Sequence, residues 1–326
     1  MHFKNERIKV NAAVCENPKK FVIKEKIIDY PVGDELLVRI EGCGVCGSNL
    51  PLWEGRSWFQ YPMQPGSPGH EAWGRVELTG EKVTKVKMND RVCILNDSAF
   101  AEYAKVQQDF AVKIPSELDD IPFPGEALAC AMNIFKRIKC KSNETVLLIG
   151  GGFMGNLLAQ LLLKEVKRVI LVSKRKYSLE LAQKVGVSSV ILFTNTEDIL
   201  SEIEKITSGA MCDCVIEVTG YQESLDIASK AVKEHGRIVI AGYHQDGIRT
   251  INMQEWNWKG LDIINAHERD PYQYLQGMSD AMYAMLNKTI DTSCLYTHTV
   301  ELKEINDAFT LLHERPNGFM KALVHI

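Results

Sequence analysis

Two hydrophobic rhythms divide the chain. Up to about residue 113, apolar residues fall in short runs: NAAVCE, FVIKEKII and ELLVRIEGCG, then AWGRVEL, DRVCIL and SAFAEYAKV. Polar or Pro/Gly turns such as Asn17-Pro18 and Pro31-Val32-Gly33 separate them, which predicts the strands of a β-rich domain. From Glu126 the rhythm changes. EALACAMNIFKRIK has helical spacing, Val146 to Ile149 is a continuous apolar run, Leu157, Leu158, Leu161 and Leu162 repeat at helical spacing, and Val169 begins a second run. The alternation continues through a helix at 179–185, a strand at 190–193, a helix at 198–207, a strand at 214–218, a helix at 224–233 and strands at 237–241 and 261–265. Short runs buried on both faces and alternating with helices predict a doubly wound parallel sheet with right-handed crossovers. A helix near 305–313 and a closing strand at 321–325 end the chain, and that strand is expected to return to the β-rich domain. The prediction is α/β: residues 121–294 form the doubly wound domain, while 1–120 and 295–326 form a β-rich domain discontinuous in sequence. There is no internal repeat or low-complexity tract.

The turn after Val146–Ile149 carries candidate chemistry. Gly150, Gly152 and Gly155 have G-x-G-x-x-G spacing between a strand and a helix. The first glycine permits the turn, the second lets a pyrophosphate reach the backbone, and the third lets helix and strand pack closely. The helix N-terminus, entered at Phe153 and Met154, offers free N–H groups and a partial positive charge to phosphate. A purely structural glycine turn is the bland alternative. At the end of the next strand stand Ser173, Lys174, Arg175 and Lys176. No carboxylate is there to bond a ribose 2′-hydroxyl, and Arg175 can grip a 2′-phosphate with two N–H groups, so NADP(H) is expected over NAD(H).

Composition adjusts this picture only slightly. At 45% hydrophobic and 25% charged, the chain is an ordinary globular sequence, and its length allows two domains. A formal net charge of −4 argues against nucleic acid or an anionic membrane as the main partner. The opening MHFKNERIKV lacks an apolar core and no run reaches ~20 apolar residues, so cytoplasm is the expected location. Nine cysteines, an odd number, point to reduced thiols; Cys43 and Cys46 form a lone C-x-x-C without a second pair.

Several motifs in order carry a family resemblance: GCGVCGSNL at 42–50, PGHEAWGRV at 68–76, FAEY at 100–103, EALACAMN at 126–133, the glycine turn, LELAQKVG at 179–186 and VIEVTG at 215–220. Nearly the whole chain resembles the medium-chain dehydrogenase/reductase superfamily, in its zinc-dependent alcohol and polyol dehydrogenase branch. The resemblance implies a Rossmann domain and a GroES-like catalytic domain. It also implies a catalytic Zn(2+) held by Cys46, His70 and Glu126, with Glu71 in or just outside the shell and the fourth position left for water or substrate. Taken singly, each residue has a bland reading: a buried thiol, a satisfied turn histidine, an acid at a helix N-terminus.

This sequence departs from the family pattern in places. Asn49 replaces the usual aspartate, so a carboxylate that would orient His70 is neutral here. Pro51 stands where a relay histidine is common, and Ala127 where a proline follows the glutamate. The four-cysteine structural-zinc lobe is missing between Cys93 and Phe100, so one zinc per chain is expected.

The resemblance implies interconversion of an alcohol and its carbonyl, which the basic strand end at 173–176 links to NADP(H), with Ser48 passing the proton and the nicotinamide near Thr219-Gly220 and Gly242. Trp53, Arg56, Trp58, Phe59 and the polar run 265–269 are candidate substrate contacts, which favours a sugar, polyol or amino-alcohol-like substrate; surface ion pairing is the alternative for Arg56 and Arg269. Two rival readings remain open. One is a metal-free NADPH reductase of the same superfamily, and the other is a non-catalytic NADPH-binding or redox-sensing protein. A homodimer or homotetramer joined through the sheet edge at 237–265 is expected.

Overall fold

The computed structural model of the protein describes residues 7–326; residues 1–6, part of the stretch behind the expectation of a chain without a leader, lie outside it. The chain divides into two compact units. One holds the residues up to Ala129 with Asp270–Leu286 and Tyr296–Ile326, and the other holds Cys130–Arg269 with Asn287–Leu295.

The first unit begins with an antiparallel hairpin, β1 (Arg7–Asn17) and β2 (Lys20–Asp29). Then come β3 (Glu35–Gly44), the short helix α1 (Leu50–Glu54), β4 (Glu71–Thr79), β5 (Arg91–Ile94), β6 (Tyr103–Gln107) and β7 (Ala111–Lys113). β3 is the hub, pairing antiparallel with β4 and with β6. Alternate residues of β3 face opposite ways, and Leu36, Val38 and Ile40 all enter one apolar core with Val76, Val92, Phe100 and Phe309. Each such side chain taken from water contributes roughly 1.5–3 kcal/mol.

Helix α2 (Gly125–Ile138) opens within the first unit and leads to the second. That unit contains β8 (Thr145–Ile149), α3 (Phe153–Leu162), β9 (Arg168–Ser173), α4 (Lys176–Lys184), β10 (Ser189–Leu192), α5 (Thr196–Thr207), β11 (Cys212–Glu217), α6 (Gln222–Ala231), β12 (Val232–Ile240), α7 (Met253–Trp258) and β13 (Asp262–Asn265). The strands form a wholly parallel sheet in the order β10-β9-β8-β11-β12-β13. The sequence predicts this architecture, and the pleat shows why its strands read as unbroken apolar runs. Val146 and Leu148 of β8 join the core on one face with Val169 and Leu171, while Leu147 and Ile149 join the core on the other with Ile170 and Val172.

After β13 the chain forms α8 (Pro271–Leu286), β14 (Tyr296–Glu301), α9 (Ile305–Glu314) and β15 (Lys321–His325). β15 lies between β14, to which it is parallel, and β3, to which it is antiparallel, so the last strand does return to the β-rich sheet. The expected division at residue 120 and residue 295 shifts. Residues 121–129 and 270–286 belong to the first unit, because Gly277 of α8 lies flat against Ala129 and Met278 Sδ sits 3.5 Å from Cys93 Sγ. Among the described residues, no helix is long and apolar enough to cross a membrane.

Candidate active site

The register of β3 and β4 assembles the first cluster. Gly44 at the end of β3 pairs with Glu71 at the start of β4, so the residues just beyond, Cys46 and His70, meet. The ligand atoms of Cys46, His70 and Glu71 lie within 4.8 Å of one another. His70 Nδ1 is 3.0 Å from the Pro68 carbonyl, which can only accept, so the ring donates there and keeps Nε2 for a ligand. Nε2 faces Glu126 Oε2, at 3.8 Å, from the first turn of α2. The structure thus gathers all four predicted ligands, with Glu71 in the tight trio and Glu126 flanking it.

Glu71 is 1% exposed, and a residue the sequence reading overlooked keeps it there. Lys321, the first residue of β15, is also buried and pairs with Glu71 Oε2. Gly44 makes room, since a Cβ at that position would strike Glu71 Oε2. Burial opposes the charge on Lys321, but Glu71 and Cys46 outweigh it and raise its pKa, so the ammonium persists. Glu71 Oε1 has no hydrogen-bond partner among the described residues. With Cys46 as thiolate, two carboxylates and one ammonium leave two negative charges in excess, a match for one divalent cation. Burial also disfavours an imidazolium at His70, yet Cys46, Glu126 and Glu71 override it and push the pKa up to about 10. The same negative field favours a cation at this cluster, and a sulfur, nitrogen and oxygen donor set suits zinc.

The neighbouring residues refine the expectations. Ser48 Oγ is 3.2 Å from Cys46 Sγ, at the cluster itself. Asn49 is buried and donates to the Pro68 carbonyl, so His70 is oriented by that shared carbonyl and not by the side chain at position 49. Pro51 lies in the first turn of α1 and carries no proton. Trp53, a candidate substrate contact, is 4% exposed and packs on Phe309 and His313, which makes it core. Arg56 pairs with Glu54, as its bland reading supposed, whereas Trp58 is exposed. Cys43 is fully buried with its thiol pushed well up by desolvation, so the C-x-x-C is not a dithiol pair. Where a zinc lobe would sit, Asn96 closes the loop by accepting from Ser98 N and donating to the Lys105 carbonyl.

In the second unit the glycine turn divides its labour as the spacing implies. Gly150 has φ +121°, a left-handed conformation, and a Cβ on Gly155 would lie 1.9 Å from the Gly150 carbonyl oxygen. Around Gly152 nothing lies within 4 Å of such a Cβ, so the backbone is open to a ligand. Gly152 is the N-cap of α3, so the ligand-facing backbone at this turn is the start of a helix, where Phe153 and Met154 stand. Gly151 fits tightly against Leu171, Ser173 and Ser178, a constraint the motif did not reveal. Ser173 Oγ accepts from Arg175 N at the β9 terminus. Lys174 lies over the Phe193 ring and bonds Glu223, 2.8 Å away. Thr219, Gly220 and Gly242 meet at the ends of β11 and β12 around the buried Glu217 carboxylate, whose role the sequence reading also missed.

A dinucleotide-type turn on a doubly wound sheet and a Cys/His/carboxylate cluster on a β-rich sheet define an oxidoreductase. Family models agree: an alcohol dehydrogenase GroES-like domain matches residues 33–116, and a zinc-binding dehydrogenase domain matches residues 152–284. D-arabinitol dehydrogenase 1 of Uromyces fabae is 24% identical over 94% of this chain and 95% of its own length. In structure, rspB of E. coli complexed with NADH superposes with a TM-score of 0.86 at 22% identity, covering 98% of this chain and 99% of rspB. A mycobacterial protein complexed with NADPH gives a TM-score of 0.81 at 17% identity, covering 97% of this chain and all of that one. The chain belongs to the medium-chain dehydrogenase/reductase superfamily, in its zinc-dependent alcohol and polyol dehydrogenase branch.

Proposed function

We propose that this protein is an NADP(H)-dependent zinc dehydrogenase that interconverts a polar alcohol, of the sugar or polyol class, with its carbonyl. The observation that carries the reading is the cluster of Cys46, His70 and Glu71, flanked by Glu126 and left with an excess of negative charge. When bound, zinc would supply a Lewis acid and the dinucleotide a hydride donor or acceptor. Cys46 Sγ and His70 Nε2 would hold the metal, with a carboxylate from Glu126 or Glu71 as third ligand. Lys321 restrains Glu71 Oε2 and leaves Oε1 uncommitted. The Ser48 hydroxyl, beside Cys46, holds or releases the substrate proton at Oγ; Pro51 cannot pass it on. Lys174 and Arg175, with no acid among residues 173–176, favour a 2′-phosphate. The polyol class is supported by likeness to a D-arabinitol dehydrogenase and by polar residues at 265–269.

Metal analysis and turnover of the same sample test the reading. The expected result is one zinc per chain and NADPH-linked activity on a sugar-alcohol panel, with both lost on chelation and in Cys46→Ser. Full activity in zinc-free protein would establish the metal-free reductase instead, and cofactor binding without turnover of any alcohol or carbonyl would leave a binding protein.

The same reading includes a second copy of the chain. β13 is an edge strand whose only partner among the described residues is β12; exposed Ile263 lies on it, and exposed Trp258 ends the helix just before it. An unpaired apolar edge favours pairing with an identical edge, so a homodimer, or a homotetramer built from it, is the proposed assembly.

A further inference from the structure

The ends of β11 and β12 hold a polar network that the reaction as described does not use. Glu217, the last residue of β11, is fully buried. Its Oε1 accepts from Thr219 N (2.5 Å), Thr219 Oγ1 (2.5 Å) and Gly220 N (2.8 Å). Its Oε2 lies 2.9 Å from His244 Nε2, in the loop after β12. Arg249, five residues on, sends Nε to His244 Nδ1 at 3.1 Å and Nη2 to the Gly220 carbonyl at 2.8 Å, and it also pairs with Asp246. A guanidinium can only donate, so His244 Nδ1 accepts with its lone pair and the ring proton sits on Nε2, directed at Glu217. Both ring nitrogens of His244 are thus spent on joining one turn to the next.

The backbone is shaped around this network. A Cβ on Gly242 would lie 2.3 Å from Gly220 N and 2.5 Å from Glu217 Oε2, and one on Gly220, at φ +77°, would lie 2.6 Å from the Tyr243 carbonyl oxygen. Two glycines let the turns abut, and the carboxylate bolts them together. In an open parallel sheet the ligand crosses the carboxyl ends of the strands where their order reverses, here between β8 and β11. Lys174 and Arg175, at the end of β9, mark the adenosine side, so the β11 and β12 turns fall to the nicotinamide side.

We propose that His244 is a positioning residue, which links Glu217 to Arg249 and so fixes the Thr219–Gly220 and Gly242–Tyr243 turns as one rigid surface for the nicotinamide half of the dinucleotide. The assignment rests on the reading that the chain binds NADP(H). It predicts a selective defect. Replacing the ring by an apolar group leaves a buried carboxylate oxygen without its His244 donor and takes one of Arg249's partners away, at a cost of the size that weakens binding about tenfold. Only ligands that reach the β11 and β12 turns should feel it.

The test compares NADPH with 2′,5′-ADP, which carries the 2′-phosphoadenosine but no nicotinamide, by calorimetric titration. His244→Leu is expected to weaken NADPH by about tenfold or more while 2′,5′-ADP stays within about twofold of wild type. His244→Gln places an amide N–H toward Glu217 and an amide oxygen toward Arg249, and it is expected to restore most NADPH affinity. Arg249→Met provides the same selective loss from the other side of the ring should His244→Leu fold poorly. Parallel weakening of both ligands, no weakening of either, or failure of His244→Gln to rescue would overturn the proposal while the cofactor reading stands. Wild-type protein that binds neither NADPH nor 2′,5′-ADP would overturn the cofactor reading, and this proposal with it.

Discussion

Single residues set the charge of each candidate cluster. Lys321 is the clearest example, because an ammonium 6% exposed opposite a carboxylate 1% exposed is tolerable only as a pair. Lys321→Met is expected to destabilise the metal-free protein by roughly 3–5 kcal/mol in chemical denaturation, as an uncompensated buried carboxylate does. Adding Glu71→Gln should recover a large part of that loss, and a double variant no more stable than the single one would show that the pair is not the cause. On the cofactor side, Arg175→Ala should raise the Kd for NADPH by about ten- to a hundredfold, the worth of a charge-assisted hydrogen bond, with little change for NADH. Equal changes for both would mean that Arg175 does not read the 2′-phosphate. The sequence made Arg175 visible because it follows a recognisable strand. It hid Lys321, which reads as an ordinary lysine at the start of the last strand, because its partner stands 250 positions away by sequence number.

At the scale of elements, local pattern served the second unit well and the helices outside it less well. The turn from β8 into α3 was legible since each glycine answers a constraint within a few residues of itself, and that gives a paired prediction. Gly155→Val would press a side chain into the Gly150 carbonyl and should lower the melting temperature together with dinucleotide binding. Gly152→Ala enters open space at φ −73°, so the melting temperature should hold while NADPH binding falls. If both variants bind NADPH as wild type does, the turn does not carry the phosphates. α8 was not read from the sequence, although Met278, Ala281, Met282 and Met285 repeat at helical spacing and are buried. Its glycine and its paired tyrosines blurred the stripe, and Gly277 is there because α8 lies against Ala129. β12 begins five residues before the expected Arg237, since Val232 pairs with Cys212 and the register shifts before Arg237 meets Cys214. No periodicity announces such an irregularity.

At the scale of the whole molecule, the parallel sheet ends on one side in β13, whose only strand partner among the described residues is β12. Light scattering is expected to find a dimer or tetramer, and Ile263→Lys, a charge placed on that edge, should shift it to monomer. Wild-type protein that is monomeric at micromolar concentration would remove the edge from consideration. What the sequence determined by itself was whatever depends on near neighbours. The strand and helix alternation, the two kinds of sheet, the glycine turn and the basic strand end rest on spacing within a few residues, and Cys46, His70, Glu71 and Glu126 became candidates through the family resemblance that short motifs carry. The tertiary structure alone decided which distant side chains meet: Lys321 with Glu71, His244 with Glu217, and Trp53 with Phe309. Those pairings follow from strand register and from which buried charge has no other neighbour, and both are properties of the folded chain.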